Sequence, residues 1–211
     1  MSKEIVWASN AMINPAMLRP IRHDLAESGE INKQKSLLAA KENPQGKALS
    51  KEYFPDEIFV AKDANTNYEN LPHLFYAYGY WVVSGEVADV MRQFDLGGCN
   101  LYPTNVFRKD RKTSIGDKWF CLNFGNVKQA FIGNESTAVS KFGSGTTDRW
   151  NAPTILKDGQ LVVRSSALSG PDIWIDAKIF NIFFVSNRLA RALKAAKVAT
   201  PFGLKKCVIV G

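Results

Sequence analysis

Between Leu71 and Phe124 the spacing of apolar residues changes period in a way that marks element boundaries. Gly79-Tyr80-Trp81-Val82-Val83 is an unbroken β-forming run, and beyond it Val87, Val90, Met91 and Phe94 recur at helical spacing. Ser84 fits the N-cap of that helix, Glu86 suits its first turn, and Gly97-Gly98 supplies the stop. A strand follows at about 101–107, then a charged turn, Arg-Lys-Asp-Arg-Lys-Thr-Ser-Ile-Gly-Asp, then a second strand in Trp119-Phe120-Cys121-Leu122-Asn123. The pair predicts a hairpin with a long basic tip. Residues 133–159, rich in Gly, Ser, Thr and Asn, read as loop, and 160–164 as another strand.

The same grammar returns near the C-terminus. Val83-Ser84 and Val185-Ser186 stand 102 residues apart, and at that offset Trp81 meets Phe183, Val87 meets Leu189 and Met91 meets Leu193. Phe94 meets Ala196 and Leu96 meets Val198. Two readings stay open: coincidence, since strand–serine–helix is a common local solution, or an internal duplication. The expected fold is a single α+β domain with two similar strand–helix–strand units and antiparallel hairpins. The first fifty residues contrast with this. Pro15 and Pro20 interrupt any long helix, and 28–50 is poor in aromatic and β-branched residues, with a short helix at about Lys33–Lys41 and an Asn-Pro-Gln-Gly turn. The division predicted is a partly mobile N-terminal arm over 1–50 and an α+β domain over 51–211.

Composition narrows the class. Of 211 residues, 45% are hydrophobic and 22% charged, which excludes a disordered chain, a collagen and a coiled coil. No apolar run approaches the ~18 residues of a membrane span, and the N-terminus lacks the apolar core of a secretory signal. Three separated cysteines, Cys99, Cys121 and Cys207, form no metal-binding or redox pair and suit free thiols in the cytoplasm. The net charge of +7 favours anionic partners, either nucleic acid or an acidic protein face.

The search for catalytic chemistry returns little. His23 and His73 stand alone, and no His/Cys cluster supports a metal site. Gly143-Ser144-Gly145 has neither nucleophile-elbow spacing nor the following lysine of a phosphate loop. Asp172 and Asp176 form a carboxylate pair whose better reading is a turn residue and a polar-face residue. Cys121, between Phe120 and Leu122, reads as a buried thiol. The densest positive cluster is Arg108, Lys109, Arg111 and Lys112 at the hairpin tip, and Arg188, Arg191, Lys194 and Lys197 add charge on the last helix. Neither cluster carries the aromatic pattern of a nucleic-acid-binding module.

The order of these segments resembles immunity protein family eleven, whose members are found beside polymorphic bacterial toxins and secreted effectors. The resemblance rests on Leu71, Pro72, Leu74, Phe75, Val83 and Ser84, on Leu122 and Asn123, and on Phe184, Val185, Ser186 and Leu189. It covers roughly residues 54–205, leaving the N-terminal third unaligned and the Ala-Thr-Pro-Phe-Gly segment after the last helix a loose match. It implies a protein that binds and neutralises a cognate toxin or effector by stoichiometric occlusion, with no catalytic residues, metal or cofactor. The basic charge then implies an acidic contact surface on the partner, with Arg108, Lys109, Arg111 and Lys112 as the candidate contacts. The alternative is a nucleic-acid-binding module using the basic loop and the C-terminal helix. An enzyme using Asp172 or Asp176 ranks third.

Overall fold

The run Tyr80–Val83 does not alternate because neither side of it meets solvent. In the computed structural model, which describes residues 4–66, 68–143 and 147–211, every residue of Tyr80–Ser84 is buried. A strand hidden on both faces reads as a continuous apolar run.

The chain opens with strands β1 (Val6–Ser9), β2 (Leu18–Arg19) and β3 (Ile21–His23), then helix α1 (Glu30–Glu42) and β4 (Glu57–Val60). The hairpin β5 (Leu74–Ala77) and β6 (Tyr80–Ser84) runs into helix α2 (Gly85–Met91), followed by β7 (Asn100–Phe107) and β8 (Trp119–Asn123). Four short strands cross the loop-rich middle: β9 (Val127–Lys128), β10 (Ser140–Lys141), β11 (Trp150–Asn151) and β12 (Val162–Arg164). The last part holds β13 (Ile173–Asp176), β14 (Ile179–Phe180), β15 (Phe183–Ser186), helix α3 (Asn187–Ala195), β16 (Leu204–Lys206) and β17 (Val208–Val210). Seven strands form one sheet, ordered β2-β5-β6-β8-β7-β4-β3, and five form a second, β16-β1-β15-β13-β9. With β10-β11-β14 and the pair β12-β17 as smaller pieces, the architecture is α+β.

Side chains alternate between two apolar layers on each sheet. On the seven-stranded sheet Leu74, Trp81, Val83, Phe120 and Leu122 face inward, while Phe75, Tyr80, Val82 and Cys121 face outward. On the five-stranded sheet Trp7, Ile173, Phe183 and Val185 face the same inner layer, while Val6, Ala8, Trp174 and Phe184 face away. Helices α2 and α3 pack against each other in that inner layer through Val87, Ala88, Met91, Leu189, Ala190 and Leu193. The helical spacing read from the sequence is therefore the spacing that fills the space between the sheets.

In the described part of the N-terminal segment, β1 lies between β15 and β16, pairing Val6 with Ser186 and Trp7 with Lys206. All four of its residues are buried. Four residues are too short to show a period, so the β-forming run Val6-Trp7-Ala8 stood out only weakly beside the prolines that follow. Helix α1 runs from Glu30 to Glu42, longer than the expected Lys33–Lys41, and ends in the expected Asn-Pro-Gln-Gly turn.

Both serines read as caps occupy that position. Ser84 Oγ accepts from the Val87 N–H at 3.4 Å, and Ser186 Oγ accepts from the Leu189 N–H at 3.2 Å. After α2 the chain turns at Gly97-Gly98, and Gly125 follows β8 with φ +61°. A Cβ on Gly125 would fall 1.8 Å from the Gly98 carbonyl oxygen, so this crossing admits only glycine there.

Replacing either cap with alanine should cost roughly 0.5–2 kcal/mol, read from urea denaturation midpoints. Ser186→Ala should lie at the upper end, because Ser186 Oγ also donates to the buried Asp172 carboxylate. Equal and negligible losses at both positions would show that the caps do not hold these helices.

Candidate functional site

The basic hairpin tip is exposed but half of its charge is spoken for. Asp110 closes the turn: its carboxylate accepts from the Lys112 and Thr113 N–H groups and from the Thr113 hydroxyl. The Thr113 hydroxyl bond, with those backbone bonds, holds the Asp110 carboxyl down to about 2. Arg111, at φ +56°, bends back over the sheet, where it pairs with Glu27 at 2.7 Å and Glu57 at 3.8 Å and stacks 3.9 Å above the Phe59 ring. Lys109 donates to the Ala64 carbonyl. Arg108 and Lys112 are exposed, and among the described residues they form no ion pair. The four candidate contacts thus divide into two that fasten the tip and two that project from it.

The tip borders a recess of about 310 Å³ lined by Arg22, Lys62, Lys109 and Arg111, with Glu27 and Asp63 between them. Arg22 and Glu27 also line a neighbouring recess of about 190 Å³ with Lys33, Leu37 and Tyr78. One surface therefore runs from the hairpin tip to helix α1.

The other titratable clusters are tied into the scaffold. Asp172 is buried, accepting from the Asp95 N–H at 2.9 Å, from Ser186 Oγ, and from Arg188 Nε at 2.5 Å. Asp176 accepts from the N–H groups of Ala130, Phe131 and Lys178. Burial raises its pKa, and those three donors oppose the rise. The two carboxylates hold separate backbone segments and do not form a catalytic pair. A recess of about 450 Å³ gathers Lys128, Arg188 and Arg191. Lys128 donates to three carbonyls, those of Ala167, Ser169 and Pro171, and burial pushes its pKa down to about 8. Lys194 lies 3.4 Å over the Trp7 ring. Of the four basic residues on or just past the last helix, Arg188 pairs with Asp172 and Lys194 lies over Trp7, and all four remain exposed.

His73 is brought to a serine, which the sequence did not reveal. Its Nδ1 lies 2.9 Å from Ser84 Oγ and 3.7 Å from Glu86 Oε2. A nucleophilic relay needs the acid and the serine on different ring nitrogens. Here both approach the same one, so the contact steadies the cap. Ser144 and Gly145 lie outside the described residues. Among the described residues no three His, Cys, Asp or Glu side chains gather as a metal-binding group, and no helix is long and apolar enough to cross a membrane. Cys99 and Cys121 are buried free thiols, pushed up to about 12 by that burial.

His23 is fully buried beneath α1. Its Nδ1 accepts from the Ala26 N–H at 3.1 Å, which leaves Nε2 to donate to Ser36 Oγ at 3.1 Å. Burial lowers its pKa from 6.5 to about 4, and a second ring proton would face the Ala26 N–H.

Two predictions follow from these contacts. Arg111→Ala should lower stability by about 1 kcal/mol, since a partly exposed ion pair and a cation–π contact are each worth less than that. Arg108→Ala should leave the denaturation midpoint unchanged. For His23, the unfolded chain takes up a proton near pH 6.5 while the folded one resists until about 4. Its contribution is complete above that window and falls as the pH drops through it, by up to about 3 kcal/mol. Denaturation midpoints between pH 4.5 and 7 should therefore slope less steeply in His23→Asn than in the unaltered chain.

The resemblance is carried by the strand leading to Ser84, the two serine caps and the Leu122-Asn123 strand end. No curated protein matches the chain. The family model described as Immunity protein family (Imm11) matches residues 20–208, reaching well before the 54–205 span and taking in α1. The chain belongs to that immunity protein family.

Proposed function

We propose that this chain binds a cognate bacterial toxin and neutralises it by stoichiometric occlusion, acting in the cytoplasm without catalysis. The observation that carries the reading is the family match over residues 20–208. The surface agrees with it: the polar clusters that could suggest chemistry are consumed in caps and strand ends, while Arg108 and Lys112 project from a braced tip. Rim charges of this kind steer an oppositely charged partner and set its association rate. The partner's contact surface is accordingly acidic.

We also read the fold as two copies of one unit, an interpretation that separates scaffold from function. In both units the N-cap serine donates its N–H to the residue preceding the first strand, His73 at 3.0 Å and Asp172 at 2.9 Å. Strand order β5-β6-β8-β7 corresponds to β13-β15-β1-β16, so β1 would supply from the N-terminus the strand that β8 supplies in the first copy. A cation–π contact recurs at the 102-residue offset, Arg92 over Phe120 and Lys194 over Trp7. Helix α1 lies outside both copies, and the basic tip, the loop joining β7 to β8 in the first, has no counterpart in the second, where β1 and β16 come from opposite ends of the chain.

Titration tests the function. Purified chain added to the toxin encoded by the adjacent gene should protect the toxin's target in proportion to the molar ratio, reaching completion near one equivalent. Full protection at a small fraction of an equivalent would mean a catalytic antidote and contradict occlusion.

A further inference from the structure

Helix α1 is built inside out. Its buried positions are Ser36, Ala39 and, just past its end, Asn43, whereas Ile31, Leu37 and Leu38 point to solvent. Ile31 is 74% exposed and Leu37 62%. A surface helix ordinarily does the reverse, turning its aliphatic side chains to the core.

Polar bonds hold it in this orientation. Ser36 meets His23 Nε2, and Asn43 Nδ2 donates to the Leu122 carbonyl at 2.9 Å. Asn43 Oδ1 accepts from Asn123 Nδ2 and from the Phe124 N–H, both at 2.9 Å. Asn123 in turn accepts from the Leu49 N–H and donates to the Lys47 carbonyl. The network is satisfied throughout and fixes the rotation of the helix, so the aliphatic residues cannot roll inward without orphaning buried polar groups.

Beside the helix, the β5–β6 turn presents Tyr78 at φ +41° and 65% exposed. Gly79 lets that turn sit on α1, since a Cβ there would lie 3.0 Å from Ala40 Cβ. Leu37 and Tyr78 share the 190 Å³ recess, which Lys33 and Arg22 border. Leu37 and Tyr78 thus lie on a surface that continues through Arg22 and Glu27 to the basic tip, and Ile31 and Leu38 extend the exposed side of the same helix.

We infer that the outward face of α1, with Tyr78, is the apolar centre of the toxin-binding surface, and that its partner is an acidic protein face with an apolar projection seated between Leu37 and Tyr78. The inference rests on the immunity reading above. An apolar centre ringed by charge is the anatomy of a binding interface. A second copy of this chain fits poorly as the occupant: each copy carries +7, and self-pairing would bring basic rims together. Ile31 and Leu37 are mostly exposed and lie outside the scaffold's apolar clusters, while Leu38, at 37% exposed, gives up only partial cover, so their removal should spare the fold.

The test compares the unaltered chain, the Ile31→Ala/Leu37→Ala/Leu38→Ala variant and Tyr78→Ala, each titrated against a catalytically disabled form of the adjacent gene's toxin. Alanine favours helix and only Leu38 gives up partial burial, so the triple variant should stay folded and melt within a few degrees of the unaltered chain. It should bind about 30-fold more weakly or worse, and Tyr78→Ala about 10-fold more weakly. Lys33→Glu/Lys35→Glu should slow association with little change in dissociation. If the unaltered chain binds and the folded triple variant binds equally tightly, the α1 surface is wrong while the immunity function stands. If the unaltered chain does not bind the toxin, the immunity reading itself fails. Sedimentation showing a dimer that the triple variant abolishes would assign the face to a second copy and overturn the proposal.

Discussion

The seven-stranded sheet must be covered on both faces, and the rest of the molecule is organised by how that is achieved. Its inner face meets α2 and α3, whose aliphatic stripes supply conventional packing. Its outer face, with Phe75, Tyr80 and Val82, is covered by the segment leading to β4, which contributes Leu49 and Phe54, and by α1, where small and polar side chains do the docking. Directional hydrogen bonds from Ser36, Asn43 and Asn123 replace part of the hydrophobic contact a helix would ordinarily make there. A fastening of that kind specifies orientation more tightly than it adds stability. It also frees the large aliphatic residues of α1 to face outward.

Elements with a long period were legible in the sequence, and elements fixed by pairing were not. The α2 and α3 stripes and the β7–β8 hairpin stood out because several apolar residues repeat on one face. Ser84 and Ser186 were readable as caps because each separates a strand-like run from a helical one. Strand β1 escaped because its four residues acquire their burial from β15 and β16, which lie nearly the whole chain away. Helix α1 reads as a helix in the sequence, but the partners of its polar inward face, His23 before it and, past its end, Asn123 80 residues from Asn43, carry no local signal.

The candidate site was legible as charge and hidden as geometry. Arg108, Lys109, Arg111 and Lys112 are alike in sequence, yet Arg111 is locked to Glu27 and Phe59 while Arg108 is not. The residues that brace the tip, Glu27, Glu57 and Ala64, come from three other segments and carried no local signal. The same holds for the recess between Leu37 and Tyr78, which joins a helix to a hairpin turn. In an immunity protein this division is physically reasonable: capping and packing positions belong to the scaffold, whereas the partner face is assembled from side chains the scaffold does not need.

The account's central claim is that α1 and the basic tip form one continuous partner surface, distinct from the capped strand ends. Amide hydrogen exchange of the chain, alone and with one equivalent of inactive toxin, tests it most directly. The account predicts slowed exchange in 24–42, at the Tyr78-Gly79 turn and in 108–113 together, with little change in 165–172 or in α3. Slowing confined to α3 and 165–172, with α1 exchanging as in the free chain, would contradict it.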